Sequence, residues 1–294
     1  MKTIIKISYR AFALFGLACF AFAPQARAIC QEGCLTNFNT ALGDDALLNN
    51  TGLNNTAIGF QALLANTVGG DNTAMGAFAL YSNRAEFNTA TGTVALYNNT
   101  SGAFNTATGA FALYSNVGGI VNVEGCYNTA TGISALYSNT TGFQNTATGT
   151  DALEGNTTGS YNTATGVSAL ISNTTGSYNT ADGWRALLWN TIGNHNTAIG
   201  REALYRNMSG NDNTGTGRKA LFHNTTGSFN TSIGTQALEG NRTGSYNIAV
   251  GFRAGEVIDG NYNIDIGNVG VAAESDTIRI GTLGRQTGAY VAGN

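Results

Sequence analysis

An all-β, parallel β-solenoid of about fourteen 17-residue coils is the fold that this chain of 294 residues predicts. Three observations carry the prediction. A five-residue unit, Asn162-Thr163-Ala164-Thr165-Gly166 in one copy, recurs with its Asn at 39, 55, 72, 88, 105, 128, 145, 162, 179, 196, 213, 230, 247 and 263. Nine of the thirteen intervals are 17 residues, three are 16 and one is 23, and such a fixed short period is the mark of stacked coils. The only Pro is Pro24, and Gly occurs 40 times. That composition suits an unbroken backbone ladder closed by tight turns, because Pro removes a ladder donor wherever it stands.

The consensus coil is N-T-A-x-G-x-x-A-L-x-x-N-T-T-G-S-Y, numbered here 1 to 17. Positions 2 to 4 read as a brief strand closed by Gly. Gly at position 5 stands in all fourteen copies, from Gly43 to Gly267, which points to a corner with positive φ or a close approach between coils. Positions 6 to 11 hold Ala-Leu in the first twelve copies, from Ala46-Leu47 to Ala237-Leu238. A single helical turn or a second short strand both fit this stretch. Asn at position 12 followed by Thr-Thr-Gly is turn chemistry, since Asn and Gly tolerate the left-handed region. One coil cannot bury its own apolar face. Stacking places each residue above its equivalent, with Leu as an inner column and Asn as amide ladders. At a strand spacing of ~4.8 Å, fourteen coils make a rod roughly 65 Å long.

Aromatic residues form two further columns, at position 10 (Tyr81, Tyr97, Tyr114, Tyr137, Tyr205) and position 17 (Phe38, Phe87, Phe104, Tyr127, Tyr161, Tyr178, Phe229, Tyr246, Tyr262). Packing explains both, and the sharper reading turns the position-10 column toward a neighbouring chain. The interval of 23 inserts residues around Gly118, Gly119, Ile120, Val121, Asn122, Val123, Glu124, Gly125 and Cys126. Such an insertion is either a neutral loop or a contact site on one side of the solenoid.

Residues 1–28 read as a secretory signal peptide. Lys2, Lys6 and Arg10 precede an apolar run from Ala11 to Ala23, and Ala26-Arg27-Ala28 is a small-x-small cleavage site. The run is too short to span a bilayer, and no later stretch is apolar enough to do so. Around Leu17-Ala18-Cys19 the Leu is one place out of register for a lipoprotein signal. Residues 29–38 read as an N-terminal cap, 39–267 as the repeat solenoid, and 268–294 as a degenerate capping repeat around Asp276-Thr277-Ile278-Arg279-Ile280-Gly281.

Beyond residue 28, seventeen acidic residues against ten basic ones leave a net charge of −7. Clustered Lys and Arg of the kind that mark nucleic-acid binding are not read in the sequence. Export permits disulfides. Cys30 and Cys34 are close enough to pair, which leaves Cys126 as a thiol or an inter-chain link. The scattered Cys, with His195 and His223 at unrelated repeat positions, do not make a metal set, and no cofactor is expected. No Ser/His/Asp arrangement is legible, so catalysis is not expected. The Gly-rich turns lack the Lys-Ser/Thr of a phosphate loop and the G-G-x-G-x-D pattern of a calcium roll. Asn-x-Thr sequons such as Asn139-Thr140-Thr141 and Asn173-Thr174-Thr175 read more simply as turns.

Five consecutive coils carry Thr-x-Thr. The pairs are Thr89 with Thr91, Thr106 with Thr108, Thr129 with Thr131, Thr146 with Thr148, and Thr163 with Thr165. Residues i and i+2 of a strand share a face, so these form a double Thr row resembling the flat arrays of ice-binding proteins. Position 4, the second Thr of each pair, also accepts Leu42, Ile58, Met75, Ile199, Ile233, Val250 and Ile266. That tolerance predicts a side chain facing inward or toward another chain. Asp182 interrupts the row.

The string Asn55-Thr56-Ala57-Ile58-Gly59 and its repeats from 39 to 267 resemble the head repeats of trimeric autotransporter adhesins of the Yersinia adhesin type. The resemblance implies a left-handed parallel β-roll, a homo-oligomer with the trimer favoured, and adhesion to a host or matrix ligand. The tail, Asp276 to Thr282 with Gln286-Thr287-Gly288-Ala289-Tyr290-Val291-Ala292-Gly293, is similar to a segment of bacterial surface and phage-fibre-like proteins that precedes a coiled coil and an endosialidase-type chaperone. The 17-residue period is longer than that of the adhesin head, and no heptad stalk or membrane barrel is read in these residues. The expectation is therefore an exported, non-catalytic surface adhesin or structural fibre component, secreted or held at a bacterial surface through a partner.

Overall fold

The computed structural model of the protein describes residues 33–119, 123–282 and 284–286. The sheet is a single one of sixteen strands in strict sequence order. β1 (Gly33–Leu35) pairs antiparallel with β2 (Asn39–Leu42). From β2 to β16 (Ile278–Ile280) each strand pairs parallel with the next, one coil later. Register is invariant: in β9 (Thr163–Thr165) and β10 (Thr180–Asp182), Thr163 faces Thr180 and Ala164 faces Ala181. The fold is the predicted parallel β-solenoid, and β16 shows that the ladder continues into the degenerate last repeat.

Three-residue strands have little propensity of their own. Their geometry comes from the stack. Ala at position 3 points inward and is fully buried, while positions 2 and 4 point outward. Ala and Leu of positions 8 and 9 complete the apolar core, from Ala46 and Leu47 to Ala237 and Leu238.

Positions 6 to 11 form neither the helical turn nor the second strand expected of them. Ser168 (φ 57°) and Leu170 (φ 53°) lie in the left-handed region, and equivalents recur in coil after coil. A helix needs consecutive right-handed residues, so this alternation forbids it. The backbone groups bond between coils instead. Ser168 N donates to Thr150 O (2.9 Å) and Leu170 N to Ala186 O (3.0 Å). Each left-handed L-residue costs roughly 1–2 kcal/mol, which burial of a Leu side chain, ~2 kcal/mol, and the added ladder bonds offset. Position 17 is the third left-handed site, as at Tyr178 (φ 59°). Where it is not aromatic it is often Asn54, Asp71, His195 or Asp212, residue types that tolerate this region.

The two glycines answer different demands. Gly166 has φ +122°, closed to other residues. Gly176 has ordinary φ, but a Cβ there would overlap Gly193 O and Asn173 Oδ1. Around that carbonyl the buried Asn ladders are built. Asn162 Nδ2 (2.8 Å) and Asn173 Nδ2 (2.9 Å) both donate to Gly176 O. Asn173 Nδ2 also donates to Asn156 Oδ1 of the coil before (2.7 Å), and Asn179 N donates to Asn162 Oδ1 (3.0 Å). The sequons Asn139 and Asn173 are thus fully buried structural amides, not acceptor sites for a glycan.

At the C-terminal end the pattern changes. Gly255 replaces the core Leu, and Ile258 replaces the position-12 Asn and fills the core from there. The position-12 Asn ladder stops, so Asn241 Oδ1 is left buried without a hydrogen bond, while the position-1 ladder runs on to Asn263. In the Ala column stand Asp265 and then Arg279, which face each other in register.

Candidate functional site

The Thr rows lie on the outside. At position 2, Thr89, Thr106, Thr129, Thr146 and Thr163 are exposed. At position 4, Thr91, Thr108, Thr131, Thr148 and Thr165 are exposed as well, each separated from its partner Thr by a buried Ala. The inward alternative for position 4 is therefore overturned for Thr91, Thr108, Thr131, Thr148 and Thr165. It fails equally for the aliphatic members of the column: Leu42, Met75, Ile199, Ile233, Val250 and Ile266 are 36–46% exposed, and Ile58 is half-buried. Period-2 alternation from a buried Ala allows no other direction. Asp182 continues the same outer row. The result is a long outer sheet face of Thr and aliphatic side chains whose one charge in columns 2 and 4 of the repeat is Asp182.

The insertion is tied into the stack at both ends. Gly118 N donates to Thr140 O and Gly125 N to Thr141 O (both 3.0 Å). Gly125 fills position 15, its carbonyl accepting from Asn105 Nδ2 (2.8 Å) and Asn116 Nδ2 (2.9 Å). Gly118, Gly125 and Cys126 are buried, Gly119 and Glu124 half-buried, and Val123 exposed. Ile120, Val121 and Asn122 lie outside the described residues. The surface offered by the predicted contact loop is therefore narrower than its nine residues.

Cys126 fills position 16, where Ser is usual. Its Sγ accepts from Ala103 N (3.2 Å), as Ser160 Oγ accepts from Phe143 N (3.1 Å). The sulfur sits inside a turn, not at the surface that an inter-chain link needs. Cys30 and the Cys34 side chain lie outside the described residues, so the proposed pairing does too.

Both aromatic columns stack at the coil repeat. Position 17 runs Phe87–Phe104–Tyr127, Tyr161–Tyr178–His195 and Phe229–Tyr246–Tyr262, with ring centroids 4.7–5.0 Å apart. Position 10 runs Tyr81–Tyr97–Tyr114–Tyr137 at 4.9–5.4 Å. Position 17 is the more exposed of the two columns, and the position-10 tyrosines are half-buried. Phe78 and Phe111, from position 7, lean against the position-10 tyrosines and cover them. Burial pushes the Tyr97 hydroxyl above its usual range, with Tyr81 and Tyr114 adding to the shift.

Among the described residues the two His side chains lie in different surroundings. His195 stacks on Tyr178, and His223 Nδ1 lies 3.1 Å from Glu239 O. Among the described residues no three His, Cys, Asp or Glu side chains come together as a metal set, and no helix is long and apolar enough to cross a membrane. The most perturbed carboxyl is Asp265, pushed up to about 6 by burial, with the Glu274 charge adding and Arg279 opposing. Arg279 donates to both Glu274 oxygens and holds that carboxyl below the usual range.

A cationic strip on coils 179 to 247 escaped the sequence reading. Arg201 and Arg218 fall at position 6 and Arg185, Lys219 and Arg253 at position 7, and only the stacking of coils reveals that they form one band of two adjoining columns. A signal was present in the spacing, but a net charge of opposite sign concealed it. No protein-family model matches the chain, and no curated protein matches it, so its geometry carries the functional reading.

Proposed function

We propose that the protein is an exported, non-catalytic rod that serves as a cell-surface adhesin or structural fibre component. One observation supports this reading above others: the outer face repeats Thr and aliphatic side chains, coil after coil, along the length of the sheet. Repetition of weak contacts is how multivalent surfaces act, whereas catalysis needs one converging constellation. The resemblance to adhesin heads agrees, and it favours a homotrimer joined through exposed faces of this kind.

The solution mass of residues 29–294, measured by light scattering with and without reductant, tests the assembly. A trimer in both conditions is expected, and a monomer removes the trimeric part of the proposal. Deleting residues 119–124 separates the two roles. Loss of binding to an immobilised matrix with the rod intact favours the adhesin, and retained binding points to the fibre role or to another face.

The outward direction of the Thr rows favours a second reading, ice binding. A flat, rigid double row of hydroxyls is the surface it requires. It predicts thermal hysteresis that disappears when Thr129→Leu and Thr146→Leu are combined, and absence of hysteresis in the intact protein eliminates it.

A further inference from the structure

We propose that positions 6 and 7 of the coils beginning at Asn179, Asn196, Asn213 and Asn247 form a cationic ridge that binds a linear anionic polysaccharide, a uronate polymer, laid along the rod axis. The backbone stacks these residues directly. Glu202 N donates to Trp184 O, Lys219 N to Arg201 O and Gln236 N to Arg218 O, at 2.9–3.0 Å. Two adjoining columns result: position 6 carries Arg201 and Arg218 next to Trp184, and position 7 carries Arg185, Glu202, Lys219, Gln236 and Arg253, each step being about 4.8 Å, the strand repeat. Gln236 is an uncharged step before Arg253.

Acidic residues accompany the ridge, Glu202 within its position-7 column, but they are its less exposed members. In the pairs Arg201–Glu202, Lys219–Glu239 and Arg253–Glu256 the base is the more exposed partner, with side chains 57%, 33% and 49% exposed against 12%, 16% and 17%. Arg185 and Arg218 have no carboxylate partner among the described ion pairs. The outermost layer is thus positive, and only Asp182, on the adjoining strand, presents an exposed acid beside it. Guanidinium groups grip carboxylates through paired hydrogen bonds. A band two columns wide, with at least one base in each of three successive coils, suits a polymer whose extended sugar repeat is close to that rise.

Trp184 argues against a nucleic-acid ligand. Arg185 lies 4.3 Å and Arg201 4.8 Å from its ring centroid. The guanidiniums are oriented by the indole, and they occupy the ring surface on which a base would stack. The same columns on coils 55 to 128 carry Phe60, Phe78, Val94 and Phe111 and no charge, so the ridge is confined to one part of the rod.

This inference supplies a ligand class for the adhesive reading and rests on it only for a biological setting. Purified full-length chain is titrated with polygalacturonate, a single-stranded DNA oligomer of equal charge, and neutral dextran. Polygalacturonate is expected to bind and to weaken with added salt, with dextran inert and DNA at least tenfold weaker. A triple variant combining Arg185→Gln, Arg201→Gln and Arg218→Gln is expected to lower polygalacturonate affinity at least tenfold with an unchanged melting temperature. Arg84→Gln, away from the ridge, is expected to leave it unchanged. No binding, equal binding by the triple variant, or DNA bound as tightly overturns the ridge. Polygalacturonate binding by a protein that does not adhere to cells sinks the adhesive reading alone.

Discussion

At the scale of single residues, the buried amides carry more of the fold than their polarity suggests. Asn173 donates to Asn156 Oδ1 and Gly176 O and accepts from Asn190 Nδ2. Asn173→Ala removes all three bonds and strands buried partners above and below, a cost of roughly 2–4 kcal/mol. Chemical denaturation should show that loss, whereas Thr163→Val, on the outer face, should shift stability by less than about 0.5 kcal/mol. Equal effects of the two would mean that the ladder is not what stabilises the coil. Asp265 makes the opposite case, since its folded-state pKa is raised. The folded chain binds an extra proton between pH 3.8 and about 6, so the carboxylate's burial cost is absent below this window and complete above it. Acidification from pH 7 to 5 should tighten the last coils, until loss of the Glu274 carboxylate at lower pH reverses the trend. Amide exchange across Ile264–Ile266, corrected for intrinsic rate, should slow at pH 5. Asp265→Ala restores the consensus and should remove that pH dependence.

At the scale of one element, the coil accepts changes in its turn far more readily than in its strand. Sixteen-residue coils shorten the segment after position 12, where Asn83 Nδ2 bonds Ala85 O two residues on instead of three. The 23-residue coil lengthens the same segment. A Cβ on Gly125 would touch Gly118 Cα, so the two ends of the insertion already meet. Excision of residues 119–124 should therefore give a regular coil with a melting temperature no lower than that of the parent. A drop of many degrees would show that the insertion itself braces the stack. In the sequence, the Thr-Ala-x strand, its Gly corner and the Asn turn were legible because each rests on local chemistry. The conformation of positions 6 to 11 was not. Residues such as Arg201-Glu202-Ala203-Leu204 favour a helix in isolation, and their left-handed neighbours are stable only when a coil above and a coil below accept their bonds.

At the scale of the whole molecule, stability should behave as a sum of coils and their interfaces. Excising residues 162–178, one full consensus coil, should leave a shorter folded rod. Its unfolding enthalpy should fall by about one coil's share of the total. Cooperative collapse to an unfolded chain would show that the array is not modular. β1 covers the outer edge of β2 by antiparallel pairing, and Asp265, Glu274 and Arg279 place charge in the last described coils. Opening is thus expected to begin in the last coils, where one of the two Asn ladders, that of position 12, has already ceased at Asn241.

The sequence by itself determined the solenoid, its approximate coil count, the inward Leu column and the Asn ladders, because a strict period forces equivalent residues to stack. Tertiary structure alone decided direction and neighbourhood. The outward aim of position 4, from Thr91 and Thr108 to Thr131, Thr148 and Thr165, depends on which side of a three-residue strand the core lies. A column that mixes Thr with Ile and Met states no preference. The covered state of Cys126 depends on its taking a Ser's place in a turn. The band formed by Arg185, Arg201 and Arg218 exists only once successive coils are stacked one strand spacing apart.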